Sequence, residues 1–60
     1  MSLLTELFGP AATLMGLDEV KEKIKALPPS LKEKKAYLLK DYAAITGIDI
    51  TAEDYDDIGA

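Results

Sequence analysis

The prolines in Leu27-Pro28-Pro29-Ser30-Leu31 constrain this chain more than any other feature. Each proline pushes the residue before it out of helical dihedrals. A lysine-rich amphipathic run must therefore stop near Leu27, and a second one begins directly after the prolines. Ser30 offers a side-chain oxygen to the free amides of the new helix, and Glu33, three residues on, completes an S-x-x-E capping box. The segment reads as the corner of an antiparallel helical hairpin. On that reading Ser30→Ala costs about 0.5–2 kcal/mol.

The arms of the hairpin follow from apolar spacing. Before the corner a helix is expected over residues 18–27, with Leu17, Val20, Ile24 and Leu27 spaced 3-4-3 along one side. Glu19 precedes Lys23, and Glu22 precedes Lys25, at the separations that let opposite charges meet on a helix surface. After the corner the longest helix is expected over residues 31–46, with Gly47 as its C-cap. Leu31, Leu38, Tyr42 and Ile45 share its apolar face, with Leu39 beside them, and Leu38 at the centre is expected to be among the most buried residues.

The ends carry shorter elements. Ser2 can cap a helix from Leu3 to Phe8 whose leucines and phenylalanine fall on one face. Pro10 suits the first position of a further turn reaching Met15, and Gly16 is a natural stop for it. A single helix running on through Gly16 is the alternative, at about 1 kcal/mol for the glycine. Ile48-Asp49-Ile50 alternates apolar and polar but has no evident partner strand, so a connector is expected. Thr51-Ala52-Glu53-Asp54 is a second capping pattern, with Asp in the usual place of Glu, opening a last turn in which Tyr55 and Ile58 face one way.

Composition narrows the class of protein. Sixty residues make one domain, residues 1–60, with no cysteine to staple it and no histidine. Such small domains need regular helix packing or a partner. The apolar fraction of 48% suffices for a core. Leu3 to Leu17 is too short and too interrupted to span a bilayer, and no basic residue precedes Lys21 as a secretory leader would require. A cytoplasmic location without membrane attachment is expected. The net charge of −4 is unevenly spread. Residues 18–40 hold all seven lysines and carry +3, whereas residues 41–60 carry −6 and no base. That division permits attraction within the chain or head-to-tail between copies. It disfavours nucleic acid as the main partner, because phosphate binding draws on an uncompensated basic face.

Catalytic chemistry finds no foothold. Asp56-Asp57 and Glu53-Asp54 are paired carboxylates by type but read as a solvated helix end. With Asp49 they could ligate a hard cation, yet the stretch lacks the glycine turn and alternating ligands of a calcium loop. Ser2 and Ser30 read as caps, and no histidine or cysteine is present to activate or supply a nucleophile. The four glycines are far apart, so no phosphate loop exists. Lys32, Lys34 and Lys35 form a basic cluster without arginine, best read as a solubilising face. Neither a cofactor nor a metal is expected, and the chain does not read as an enzyme.

One stretch resembles a known family. Gly47-Ile48-Asp49-Ile50-Thr51-Ala52-Glu53-Asp54, after a long helix, is similar to the end of the second helix and the following loop of acyl carrier proteins. Those proteins carry their prosthetic arm on a serine in an Asp-Ser-Leu motif. The nearest match here, Leu17-Asp18-Glu19, has no serine, so the resemblance extends to helix capping and not to function.

The expectation is thus an all-α fold of three to five short helices around a hairpin with a Pro-Pro corner. Its expected role is a non-catalytic protein-interaction or assembly module that self-associates, most simply as a homodimer, as a small accessory protein of a virus, a plasmid or a larger complex would. Leu3, Leu4, Leu7, Phe8 and Tyr37 are the candidate contact residues. The alternative is a small regulator acting on nucleic acid, directly or through a DNA-binding partner.

Overall fold

The computed structural model describes residues 2–60 and is all-α among them. Four α-helices follow one another: α1 (Leu3–Phe8), α2 (Leu17–Lys25), α3 (Lys35–Thr46) and α4 (Ala52–Asp57). Two 3-10 helices intervene, Pro10–Leu14 after α1 and Pro29–Lys34 before α3. The radius of gyration, 10.2 Å, equals the roughly 10 Å of a compact chain of this length, so no arm extends from the body.

Local chemistry sets most boundaries. The Ser2 hydroxyl accepts from the Thr5 amide at 3.2 Å and opens α1. Gly9 ends it at φ 85°, a left-handed value that favours glycine, while its amide donates to the Thr5 carbonyl at 2.8 Å. Pro10 starts the next element at its first position. At the other end of the chain, Gly47 takes φ 74° and donates to the Ala43 carbonyl at 2.8 Å, closing α3 as expected. The Thr51 amide donates to Asp54 Oδ2 at 2.9 Å, so the shorter aspartate completes this contact at the start of α4.

Two expectations about caps are corrected. Gly16 sits at φ −71° and ψ 162° and precedes α2 as its N-cap, so its left-handed freedom goes unused; Met15, extended at ψ 152°, ends the preceding 3-10 helix. At the proline corner, Ser30 caps nothing. Pro28 is the extended residue, and Pro29 takes the first helical position. Its missing N–H would have been unpaired there in any case. Ser30 falls one residue inside the helix, and the Leu31 amide donates to the Pro28 carbonyl at 2.9 Å. An N-cap needs extended dihedrals before the first turn, and the second proline has moved that position from Ser30 to Pro28. The chain then runs as 3-10 helix through Lys34, so α3 begins at Lys35 and not at Leu31.

The core is formed by Leu4, Ala12, Val20, Ile24, Leu38, Leu39, Tyr42 and Ile58. Leu3, Phe8, Met15, Leu17, Leu27, Ile50 and Tyr55 pack against it while partly exposed. α3 is the hub, packing on α1, α2 and both 3-10 helices. Taking Leu38 as origin, Tyr42 lies about 40° and Leu39 about 100° around the helix, and these define the buried arc. Ile45 lies about 20° to the other side. It is 45% exposed, outside the face where its spacing had placed it. Tyr42 carries a polar atom into this interior and satisfies it by donating its hydroxyl hydrogen to the Met15 carbonyl. Among the described residues no buried side-chain nitrogen or oxygen lacks a partner.

Two substitutions separate these conclusions. Leu38→Ala empties a fully buried site and is expected to cost about 2–5 kcal/mol. Ser30→Ala touches an exposed side chain that caps nothing and is expected to stay within about 0.5 kcal/mol of wild type. Denaturant midpoints of the two variants measure both.

Candidate interaction surface

The five residues singled out in the sequence divide sharply. Leu4 is fully buried and belongs to the core, so it has no surface to offer a partner. Leu3 and Phe8 are half-buried against that core. Leu7 and Tyr37 remain open, 42% and 59% exposed. α1 therefore spends three of its four large apolar side chains on packing and leaves one outward.

Apolar residues on and just beyond α3 join Tyr37. Asp41 and Ala44 lie on the same flank of α3, Ile45 lies between that flank and the core, and Ile48 follows just past the helix end. Asp41 is half-buried, and its carboxylate accepts the Leu4 amide at 3.2 Å, so α1 borders this flank. Tyr37, Lys40, Asp41 and Ala44 enclose a depression of about 250 Å³. A second, more open groove of about 450 Å³ is lined by Ala43, Ala44, Gly47, Ile48, Ile50 and Tyr55, with Lys40 and Asp49 at its edge. Ala44 and Lys40 belong to both, so the two form one trough along the helix.

Sequence reasoning missed Ile45, Ile48 and Leu14 as surface residues; Leu14, at the end of the first 3-10 helix, is 88% exposed. The spacing Tyr37, Asp41, Ala44, Ile48 is 4-3-4 and was available as a signal. The aspartate in it concealed the pattern, because its hydrogen bond to α1 is a tertiary fact. Nothing in the local sequence around Leu14 distinguishes an outward leucine from an inward one.

The charges form one bridge between helices. Lys21 on α2 bridges Asp54 Oδ1 and Asp57 Oδ2 of α4, each at 2.8 Å. The hydrogen bonds it donates to both carboxylates, Asp54 first, raise the lysine pKa above its usual range. Lys21 first, then the Thr51 amide, hold Asp54 below the ordinary carboxylate value of 3.8. Lys21 and Asp54 are each only 16% exposed in their side chains, yet water still screens the bridge, so its contribution is modest. It joins α4 to α2, and with it the basic middle of the chain meets the acidic end. These are the only ion pairs among the described residues, and no group of three acidic, histidine or cysteine side chains there is placed to hold a metal ion. No helix among them is long and apolar enough to cross a membrane.

No protein-family model, curated protein or solved structure matches this chain. The surface must be interpreted from its own chemistry.

The bridge gives a pH test. Asp54 is more acidic folded than unfolded, so its stabilising effect is complete above the ordinary carboxylate value and is lost as pH falls through the lower, folded value. Asp54→Asn is therefore expected to lower the denaturation midpoint at neutral pH. The gap to wild type is expected to close once the pH is below the folded value of Asp54. Paired urea titrations across the acid range measure it.

Proposed function

We propose that this protein is a non-catalytic interaction module that self-associates, most simply as a two-fold homodimer. The observation that carries the reading is the set of large apolar side chains left outside the core: Leu7, Tyr37, Ile45 and Ile48, of which Tyr37 and Ile48 line one trough. A monomer of 60 residues with this much apolar surface open gains by covering it, and the two-fold dimer is the commonest closed arrangement. On this reading the chain is one cytoplasmic domain, a helical bundle built around an antiparallel hairpin with its corner at Pro28-Pro29. It works without cofactor, as an accessory protein of a virus, a plasmid or a larger complex would. Of the contact residues expected from sequence, Leu7 and Tyr37 are the principal contributors and Leu3 and Phe8 support them. The sequence holds no histidine to activate a hydroxyl and no cysteine, which supports a role other than catalysis.

A second reading, a regulator acting on nucleic acid directly or through a DNA-binding partner, draws on Lys32 and Lys34, which are exposed and make no ion pair within the chain. Salt-dependent retention on a DNA column by a protein that stays monomeric favours it over the first.

Sedimentation equilibrium decides the main proposal. The protein is expected to dimerise, and its thermal midpoint to rise with concentration, because association acts on the folded form. Leu7→Glu is expected to yield a folded monomer by sedimentation and circular dichroism. A wild-type monomer at high micromolar concentration refutes the proposal.

A further inference from the structure

We infer that two copies pair by laying α3 antiparallel on α3 of the second copy, each Tyr37 entering the groove beside Gly47 and Ile48 of the other. The inference rests on the self-association proposed above and specifies its geometry. Its starting point is the 4-3 spacing of Tyr37, Asp41 and Ala44 on α3, the separation at which side chains line one seam between paired helices, with Ile48 just past the helix end and lining the groove there. An antiparallel two-fold axis midway between Asp41 and Ala44 sets Tyr37 of each copy opposite Ile48 of the other.

The shapes correspond. Tyr37 is the large exposed side chain at one end of the trough, 59% open. At the other end the groove of about 450 Å³ is floored by Ala43, Ala44 and Gly47. Small residues there let a ring approach the backbone. One copy thus carries the projection and the receptor at opposite ends of a single helix. A two-fold pairing uses both twice and closes, whereas a head-to-tail contact would leave one of each free and propagate.

Charge selects the direction. Exposed Lys32 and Lys34 stand just before α3, and exposed Asp49, Glu53 and Asp56 follow it. None of these five makes an ion pair within its own chain. Antiparallel pairing brings the lysines of one copy to the carboxylates of the other at both ends of the seam. Parallel pairing would instead bring the carboxylates of both copies together and repel. The opposed helix dipoles favour the same direction. The chain exposes 3911 Å² in all, so a standard contribution of about 800 Å² per partner is a fifth of its surface. The seam must therefore extend from Lys32 and Lys34 across to the α4 side, as the charge pairing requires.

The test uses Lys34→Glu and Asp49→Lys, two exposed positions, followed by sedimentation equilibrium at low salt with circular dichroism to confirm folding. Each variant alone is expected to associate roughly tenfold more weakly than wild type, because like charges then meet at both ends. An equimolar mixture of the two is expected to recover association to within about threefold of wild type, since each variant then meets the opposite charge on the other. If either variant fails to fold, Lys32→Glu mixed with Glu53→Lys makes the same comparison. A wild-type dimer that neither substitution weakens, or that both weaken without recovery on mixing, overturns the antiparallel pairing and leaves self-association standing. A wild-type monomer removes both.

Discussion

The buried side chain of Tyr42 is the contact on which the rest of the structure depends. It lies on the inner face of α3 and donates to the Met15 carbonyl, where the chain turns from the first 3-10 helix into α2. A buried hydroxyl left without a partner would cost about 1–3 kcal/mol. The pairing therefore fixes where α3 stands relative to the N-terminal third of the chain. The neighbouring residue does the same for α1: the Asp41 carboxylate accepts the Leu4 amide at 3.2 Å, beside the end of a helix that has free donors. Two consecutive residues of one helix thus set the position of both elements preceding α2.

That arrangement explains how so short a chain holds four helices. α1 and α4 have six residues each, far below the length at which a helix is stable by itself in water. α1 is retained by Leu4 in the core, Leu3 and Phe8 at its edge and the amide bond to Asp41. α4 is retained by Ile58 just beyond its end, by Tyr55, and by Lys21 reaching across from α2. Each terminal element is secured by one fully buried side chain and one or two polar contacts to another helix. The remaining side chains on those elements are free to be acidic, or, like Leu7, apolar and outward.

Using the inner face of α3 for the core has a consequence for its outer flank. Leu38, Leu39 and Tyr42 occupy an arc of about 100°, leaving Tyr37, Ala44 and Ile45 outside it. A helix surrounded by more elements would have buried that flank as well. In this chain the flank stays open beside a trough. In the proposed dimer, recognition by a second copy would continue folding by the same hydrophobic term, with charge choosing the direction.

Helix boundaries were legible in the sequence because they are local. Ser2, Gly9, Pro10, Gly47 and the Thr51–Asp54 pair act on dihedrals and amides within a turn of themselves, and each performs the role its chemistry dictates. Ser30 shows the limit even of local reading: two rules competed for one position, and the proline prevailed because its ring fixes φ at the first helical residue. Burial was legible only in part. Leu38 and Tyr42 lie inside the buried arc, but Ile45, about 20° beyond Leu38, lies past its margin. Margins depend on which neighbour crosses and at what angle. The sequence by itself determined an all-α chain and most of its helix boundaries, though not the start of α3, because boundaries are set largely by steric and hydrogen-bond preferences of adjacent residues. Tertiary structure alone decided that Leu4 is core, that Leu7, Leu14 and Ile48 are surface, and that Lys21 joins α4, because these follow from contacts between residues far apart in the chain.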